Sequence, residues 1–328
     1  MKRKIEYLLL VLLLILSACA MPPKTGRTKI TFVLDWLPNT NHTGLYIAQT
    51  KGYFEKQGLD VEIIQPANST AEQLVASGRA DFGISYQEQL TYARTTKNAL
   101  PIKAVAAILQ HNTSGFASLK TSGIQTPKDF EGKRYGAYGT PSEYAMLAGI
   151  MADYGADISK TEVIDVASAD FFTLVPKQID YAWIFEGWAG IEAKLRGVEL
   201  NYFSLRELDD TYDYYTPIII SNDAFLAENP DIAKKMLAAI TDGYNDAVAD
   251  PDEAATIFLA NVPEANEELV RESQKFMSTK YIDDAPYFGY MEYDRFQKPA
   301  DWLFEQGLLE SPLDVSEAFT NEFLPNKG

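Results

Sequence analysis

The sequence has one cysteine and two histidines in 328 residues, and these small numbers exclude several kinds of site. One cysteine cannot form an intrachain disulfide, and two histidines argue against a histidine-rich zinc site. Basic side chains are also few: 29 lysines and arginines stand against 46 aspartates and glutamates, which gives a formal net charge of -17. A general nucleic-acid binder needs a cationic surface. We therefore expect neither a bound metal nor a nucleic-acid partner.

Catalytic motifs are absent as well. The sequence has no Gly-x-Ser-x-Gly elbow, no phosphate-binding glycine-rich loop ending in lysine, and no His-Glu-x-x-His motif. His42 and His111 stand alone in the sequence, and a lone histidine is more often a structural hydrogen-bonding residue than a general base. We predict that the protein is not an enzyme and that it needs no cofactor.

The amino terminus has the pattern of an export signal. Basic residues at positions 2–4 precede an apolar run at residues 8–16, which is shorter than the roughly 20 residues of a membrane-spanning helix. The Leu-Ser-Ala-Cys sequence that ends at Cys19 resembles the bacterial lipobox. It predicts a signal peptide over residues 1–18 and a lipid on Cys19, which would anchor the protein to the extracytoplasmic face of the cell membrane. The alternative is a chance cysteine behind an ordinary signal peptide.

The rest of the chain alternates strand and helix patterns after a proline- and glycine-containing tether at residues 19–28. Such alternation predicts an α/β fold with parallel sheets. A faint internal repeat relates residues 78–84 to residues 177–183, which indicates two similar units. We predict two lobes with a ligand cleft between them. Lobe 1 comprises residues 29–113 plus 217–328, and lobe 2 comprises residues 114–216.

Three stretches that each follow a predicted strand carry most of the candidate ligand-binding residues. Ligands bind at the carboxyl ends of strands in open α/β sheets, so these stretches are expected to line the cleft. They are residues 34–44, with Trp36 and Asn39; residues 136–143, with Gly139, Thr140 and Ser142; and residues 183–188, with Trp183, Glu186 and Trp188. Tyr86 occupies the related position of the first unit.

The residue types in these stretches suit a flat heterocycle. Indole rings offer apolar faces for stacking, Gly139 allows close approach of the backbone, and the Glu186 carboxylate is able to accept a hydrogen bond from the exocyclic amine of an aminopyrimidine. Each stretch also has a purely structural interpretation. The tryptophans would then be core residues, Thr140 and Glu143 a helix-capping pair, and Glu186 a surface charge.

Residues 31–59 carry a distinctive pattern. It consists of Leu-Asp-Trp-Leu-Pro-Asn at residues 34–39, followed by Tyr-Ile-Ala-Gln-x-x-Gly-Tyr-Phe-x-x-x-Gly-Leu at residues 46–59. The pattern resembles the ThiY-type substrate-binding lipoproteins of ABC importers, which are related to yeast thiamine-pyrimidine synthase. The resemblance extends over about residues 29–249.

The resemblance implies a type II periplasmic-binding-protein fold that closes on a thiamine pyrimidine precursor and delivers it to a permease with its ATPase. The expected state is a monomer. The candidate ligand residues carried over by the resemblance are Trp36, Asn39, Tyr86, Gly139, Thr140, Ser142, Trp183, Glu186 and, with a poorer alignment, Tyr215.

Two alternatives remain open from the sequence. The first is the same transport role for riboflavin, a sulfonate, nitrate or another small heterocycle. The second is an exported synthase-like enzyme. The synthase relatives carry a lysine that holds pyridoxal phosphate, a nearby histidine and a cysteine-rich motif. The comparable stretch at residues 84–90 has neither lysine nor histidine, and the cysteine cluster is absent, so the resemblance favours a carrier.

Overall fold

The computed structural model describes residues 26–67, 69–166, 169–175 and 177–325. The predicted signal peptide, Cys19 and residues 20–25 lie outside the described residues. No helix in the described ranges is both long and apolar enough to cross a membrane.

Strands in the described residues form two five-stranded sheets. In chain order they are β1 (Thr28–Val33), β2 (Leu59–Ile64), β3 (Phe82–Ser85), β4 (Ile102–Ala107), β5 (Ser114–Leu119), β6 (Arg134–Ala137), β7 (Glu162–Asp165), β8 (Tyr181–Phe185), β9 (Leu200–Ser204) and β10 (Ile218–Asn222). The first sheet has the order β2-β1-β3-β10-β4 and the second β7-β6-β8-β5-β9.

Both sheets are mixed, which corrects the prediction of parallel sheets. β1 pairs in parallel with β2 and β3, whereas β10 runs antiparallel to β3 and β4. The second sheet repeats the arrangement with β5 as its antiparallel strand. β10 and β5 enter their sheets directly after the chain has crossed from the other sheet, which accounts for their direction. Each sheet draws on one of the two predicted lobes, and the exact lobe boundaries stay a prediction.

Helices cover both faces of the sheets. In chain order they are α1 (Thr43–Thr50), α2 (Tyr53–Lys56), α3 (Ala71–Ala76), α4 (Gln87–Thr95), α5 (Pro141–Asp153), α6 (Phe171–Leu174), α7 (Ile191–Leu195), α8 (Leu205–Leu208), α9 (Asp223–Glu228), α10 (Pro230–Ala249), α11 (Pro251–Asn261), α12 (Glu267–Ser278), α13 (Tyr293–Glu305) and α14 (Val315–Ala318). A π-helical turn at Glu186–Gly190 leads from β8 into α7.

Alternating side chains of β1 explain the layered core. Ile30 and Phe32 pack on one face with α1 and α10, whereas Val33 packs on the other face with α3. α1 and α10 approach closely because glycines meet at their crossing. A Cβ on Gly243 would lie 2.0 Å from the carbonyl oxygen of Gly44.

The internal repeat has a structural counterpart. Asp81 receives a hydrogen bond from the Thr31 amide at 2.8 Å, and Asp180 receives one from the Arg134 amide at 2.9 Å. Asp81 directly precedes β3 and hydrogen-bonds to the neighbouring β1, and Asp180 directly precedes β8 and hydrogen-bonds to the neighbouring β6. β3 and β8 are the central strands of their sheets.

The chain crosses between the sheets at residues 108–113 and 205–217, and these two crossovers lie side by side. The Asn112 amide donates to Asp213 at 2.9 Å, and His111 Nδ1 lies 2.6 Å from the same carboxylate. His111 Nε2 also lies 3.2 Å from Asp284. Elsewhere the two halves meet where the Ser273 hydroxyl of α12 donates to the Gly187 carbonyl after β8.

Candidate ligand-binding site

A cleft opens between the ends of β1 and β3 in the first sheet and β6 and β8 in the second. It has two adjoining compartments. The compartment that contains the buried Glu88 and Trp183, which we call the inner compartment, has a volume of about 320 Å³ and is lined by Asp35, Trp36, Tyr86, Glu88, Gln89, Tyr138, Thr140, Glu143, Trp183 and Phe185. The outer compartment, of about 220 Å³, shares Asp35, Trp36, Tyr86, Tyr138 and Phe185 and adds Leu37, Asn39, Asn41, Ala169, Asp170, Phe171, Ile184, Trp188, Ala189 and Glu192.

Asp35 organises the first-sheet side of the cleft. Its carboxylate lies 2.7 Å from His42 Nε2 and also accepts a hydrogen bond from the Tyr86 hydroxyl. The Asn39 amide donates to His42 Nδ1 at 3.1 Å, so that nitrogen carries no proton and Nε2 is the donor to Asp35. Burial raises the pKa of Asp35, but the interactions with His42 and Tyr86 outweigh it and leave the pKa below its ordinary value. Asp35 is therefore ionised and fixes the position of the Tyr86 ring.

Two aromatic rings meet across the cleft. Tyr86, which follows β3, stacks on Phe185, which ends β8, with ring centroids 5.9 Å apart and planes inclined by 25°. These residues occupy the related positions of the two units. Both rings border both compartments. They offer a flat apolar surface where the compartments join.

Glu88 has a carboxyl oxygen that lacks a partner in the inner compartment. It lies in the first turn of α4 and its side chain is buried. Its Oε2 atom has no hydrogen-bond partner among the described residues. Burial, with smaller contributions from Glu72 and Glu143, raises the pKa of Glu88 to about 8. The group is therefore mostly protonated at neutral pH and carries both a hydrogen-bond donor and an acceptor.

Trp183 supplies a second buried polar atom in the same compartment. The residue is only 7% exposed, and its Nε1 atom has no hydrogen-bond partner in the described part of the chain. Leaving such a donor without a partner costs about 1–3 kcal/mol. An unpaired indole N–H and an unpaired carboxyl oxygen therefore belong to two residues that line the same compartment.

The loop before α5 forms the second-sheet wall. Gly139 has a φ of +89°, which favours glycine. Glu143 accepts hydrogen bonds from the Tyr138 and Gly139 amides at 3.0 and 3.1 Å and from the Tyr135 hydroxyl at 2.6 Å. Thr140 caps the helix by accepting from the Glu143 amide at 3.3 Å. The loop is held by its own carboxylate, which leaves little of Glu143 free for a ligand.

Six of the candidate residues from the sequence line the cleft. Trp36 and Tyr86 border both compartments, and the others border one: Asn39 and Trp188 the outer, Thr140 and Trp183 the inner. The Asn39 side chain accepts from the Asn41 amide at 2.9 Å and donates to the Leu37 carbonyl at 3.1 Å, so it also has a structural role.

The other four candidates lie outside the lining. The Glu186 side chain is 35% exposed and faces Lys194 at 3.8 Å. Tyr215 is buried in the core against Phe296, with its hydroxyl accepting from a backbone amide. Gly139 and Ser142 support the loop and the first turn of α5; Ser142 Oγ lies 3.3 Å from the Thr140 hydroxyl.

Glu88, Phe185 and Tyr138 also line the cleft, although none of them is among the candidate residues from the sequence. The available signal for Glu88 was its position two residues after Tyr86, just beyond the end of β3. In the described ranges, no group of three or more histidine, cysteine, aspartate and glutamate side chains is arranged to hold a metal ion.

Comparison with known proteins gives several similar chains. A formylaminopyrimidine-binding protein of Halalkalibacterium halodurans is 29% identical, with 95% of this chain and 97% of the relative covered. The riboflavin-binding protein RibY of Chloroflexus aurantiacus is 26% identical over 99% of both chains. A 4-amino-5-hydroxymethyl-2-methylpyrimidine phosphate synthase of Saccharomyces cerevisiae, THI13, is 28% identical over 90% of this chain and 88% of the relative.

Solved structures share the fold at low sequence identity. The alkanesulfonate-binding protein SsuA of Xanthomonas axonopodis pv. citri, bound to MOPS, aligns with a TM-score of 0.69 and 14% identity over 90% of this chain and 99% of that chain. The ligand-binding component of an ABC-type import system from Staphylococcus aureus aligns with a TM-score of 0.68 and 14% identity over 92% and 99%.

These alignments agree with the two-sheet architecture and confirm the predicted two-lobe type II periplasmic-binding-protein fold. The model of the NMT1/THI5-like family matches residues 39–254, which is more than half of the chain and includes the cleft lining apart from Asp35, Trp36 and Leu37. The chain belongs to the NMT1/THI5-like family.

Proposed function

We propose that this protein is the extracytoplasmic substrate-binding protein of an ABC importer and that it captures a thiamine pyrimidine precursor of the formylaminopyrimidine or hydroxymethylpyrimidine type. The observation that carries the proposal is the pair of buried, unpaired polar atoms, Glu88 Oε2 and Trp183 Nε1, in a compartment walled by aromatic rings. A flat ring with polar atoms on its edge complements both features.

Glu88 takes the role that the sequence had suggested for Glu186. A protonated carboxyl donates its O–H to a pyrimidine ring nitrogen and accepts, at its carbonyl oxygen, a hydrogen bond from the neighbouring amine. The Trp183 N–H donates to an acceptor on the ring or its substituent. Hydrogen bonds of this kind contribute about 1 kcal/mol each, and ring stacking with burial adds a few kcal/mol. Micromolar affinity needs about 8 kcal/mol, which these contributions together approach.

Closure of the lobes follows from the same contacts. Trp36 and Tyr86 belong to the first-sheet side, whereas Trp183 and Phe185 belong to the second-sheet side. A ligand that touches both sides binds the closed form more tightly than the open form and shifts the population toward closure. The permease with its ATPase, the lipid on Cys19 and the monomeric state are parts of the same proposal.

The alternatives have less support. The inner compartment, of about 320 Å³, lies at the small end of the roughly 300–1,000 Å³ of small-molecule sites and suits a single ring, whereas riboflavin would have to extend into the outer compartment as well. A sulfonate or nitrate calls for a cationic partner, and the cleft lining among the described residues has no lysine, arginine or histidine. The same lining offers no lysine to form a Schiff base with pyridoxal phosphate.

Isothermal titration calorimetry near pH 7 tests the proposal. The panel is formylaminopyrimidine, hydroxymethylpyrimidine, riboflavin and an alkanesulfonate. We expect a pyrimidine to bind most tightly and Glu88→Ala to weaken its binding at least tenfold, whereas the matched control Glu186→Ala leaves it unchanged. Riboflavin or the sulfonate binding more tightly than both pyrimidines would overturn the ligand assignment. A Schiff-base absorbance on addition of pyridoxal phosphate would favour the enzyme alternative.

A further inference from the structure

The π-helical turn after β8 rests on a helix from the other side of the cleft. That helix, α12, belongs to the first-sheet side, because its Met277 packs in one apolar cluster with residues of β1, α1 and α10. The turn itself, Glu186–Gly190, continues β8 of the second sheet. A Cβ on Gly187 would lie 2.4 Å from Met277 Sδ, so the backbone of the turn touches α12 directly. The two sides of the cleft are therefore joined here by residues that belong to neither crossover.

A buried hydroxyl of α12 completes this contact. Ser273 is buried, and its hydroxyl donates to the carbonyl oxygen of Gly187. A hydroxyl has one proton and a carbonyl only accepts, so Ser273 has no proton left for another acceptor. Thr40 Oγ1 lies 2.6 Å from Ser273 Oγ and must therefore be the donor in that contact. We call this chain of hydrogen bonds, from Thr40 through Ser273 to Gly187, the hydroxyl relay.

Both ends of the hydroxyl relay lie beside the outer compartment. Thr40 stands between Asn39 and Asn41, and these two residues line that compartment from the first-sheet side. Gly187 directly precedes Trp188, which lines it from the second-sheet side. Ser273 itself is not among the lining residues. One hydroxyl that lies behind the cleft thus connects the two walls of the outer compartment.

Trp188 shows what the hydroxyl relay positions. Besides lining the outer compartment, its ring packs against an apolar cluster that includes Tyr46, Phe258 and Val270. These three residues belong to α1, α11 and α12 of the first-sheet side. The place of the indole therefore depends on how the π-helical turn sits on α12.

The hydroxyl relay favours the closed cleft. Tyr86 and Phe185 stack across the cleft, so the two sides are together in this structure. An opening movement that lifts the π-helical turn from α12 separates Ser273 from Gly187 and withdraws Trp188 from its cluster. Contacts that exist only in the closed form raise its population, and the apparent affinity of a ligand that binds this form rises with that population.

We propose that Ser273 is a positioning residue for ligand binding: without touching the ligand, its hydroxyl holds the π-helical turn and Trp188 against the first-sheet side and so stabilises the closed cleft. The inference rests on the proposed function, because a change in affinity is measured with the pyrimidine that the proposal names. It goes beyond that function by assigning control of closure to a residue outside the cleft lining.

The variant Ser273→Ala tests the inference, and Ser278→Ala is its matched control. Ser278 lies in the same helix, is also buried, and also uses its hydroxyl as donor and acceptor: it donates to the Ala247 carbonyl at 2.6 Å and accepts from Gln274 Nε2 at 2.9 Å. All of these partners lie on the first-sheet side. Both variants should therefore lose similar free energy of unfolding in urea.

Ligand binding and shape should separate the two variants. In calorimetry with hydroxymethylpyrimidine we expect Ser273→Ala to bind about fivefold more weakly, the effect of losing one buried hydrogen bond from the closed form alone. Small-angle scattering should give ligand-free Ser273→Ala a larger radius of gyration than wild type. Ser278→Ala should match wild type in affinity and in radius of gyration.

Thr40 provides a second pair of variants. Thr40→Val removes the first donor of the hydroxyl relay and should weaken binding, whereas Thr40→Ser keeps the hydroxyl and should bind like wild type. Added to Ser273→Ala, Thr40→Val should weaken binding no further, because the relay is already broken there.

The outcomes distinguish this inference from the proposed function. If wild type binds the pyrimidine but Ser273→Ala has unchanged affinity and an unchanged radius of gyration, the role of Ser273 is overturned and the proposed function stands. Equal losses of affinity in Ser273→Ala and Ser278→Ala would also overturn it, since they would reveal only general damage. If wild type binds no pyrimidine, the proposed function fails, and the radius of gyration of the ligand-free variants still decides the role of Ser273.

Discussion

Replacing Glu88 with glutamine should remove a pH dependence that the wild-type protein has. Burial raises the pKa of Glu88 from 4.5 to about 8. Between about pH 4.5 and about pH 8, Glu88 is therefore protonated in the folded protein but ionised in the unfolded chain. The resulting stabilisation of the folded state is fully present below about pH 4.5 and is lost as the pH rises toward 8. The slope is at most about 1.4 kcal/mol per pH unit.

The same titration controls ligand binding in the proposed mode. If the ligand needs the protonated carboxyl of Glu88, the apparent affinity is nearly constant up to about pH 7. It then falls about tenfold by pH 9, because about one site in ten is still protonated one unit above a pKa of about 8. Glu88→Gln keeps a donor and an acceptor but does not titrate, so its affinity should be weaker and flat over this range.

Two assays measure these effects. Urea unfolding of the ligand-free protein at pH 5.5 and pH 8 gives the stability difference, and calorimetry with neutral hydroxymethylpyrimidine from pH 7 to pH 9 gives the affinity. Parallel pH profiles for wild type and Glu88→Gln in both assays would refute the assignment of a protonated, ligand-reading carboxyl to Glu88.

Three further perturbations probe other parts of the account. Trp183→Phe keeps an aromatic ring but removes the unpaired N–H, so calorimetry should give about fivefold weaker binding, worth about 1 kcal/mol. The free energy of unfolding of the ligand-free protein, measured in urea, should not fall through loss of a hydrogen bond, because this N–H has no partner there. Gly187→Ala places a Cβ 2.4 Å from Met277 Sδ. This overpacking of the contact between the halves should favour the open form, with about tenfold weaker binding and a larger radius of gyration in small-angle scattering. His111→Gln should lower the free energy of unfolding by about 1 kcal/mol more at pH 6 than at pH 9. The reason is that the hydrogen bond to Asp213 raises the pKa of His111, so its contribution is present below the unfolded pKa and disappears as the pH rises.

Controls separate these effects from general damage. Gly26→Ala adds a Cβ that meets nothing within 4 Å and should change neither the scattering profile nor the affinity. A scattering profile of Gly187→Ala identical to that of wild type would contradict the role of this contact in closure. A stability loss in His111→Gln that does not vary with pH would contradict the charged state assigned to His111.

The sequence predicted the elements with strong local signals. β2, β8 and α10 are such elements, because flanking glycine, aspartate and proline residues mark where they begin or end. β5 lacks such local signals. Its sequence, Ser-Gly-Phe-Ala-Ser-Leu, has low strand propensity and is buried on both faces, so it shows no alternation. Its antiparallel place in the sheet depends on partners distant in sequence.

The sequence indicates where the proposed site lies but does not indicate every side chain that lines the cleft. The aromatic residues at the strand ends, Trp36, Tyr86 and Trp183, line the cleft because strand ends converge there. Glu186 and Glu88 follow related strands, and only the path of the chain distinguishes them. The π-helical turn after β8 directs Glu186 toward Lys194, whereas the first turn of α4 buries Glu88. Such a difference depends on tertiary packing and not on local sequence.

The measurement that tests the central claim most directly is a crystal structure of the protein with bound hydroxymethylpyrimidine or formylaminopyrimidine. We predict that the pyrimidine lies in the inner compartment, with its amine or ring nitrogen within about 3.2 Å of Glu88 Oε2 and an acceptor within about 3.2 Å of Trp183 Nε1. A pyrimidine bound elsewhere, or one in the cleft with both of these atoms still unpaired, would contradict the account.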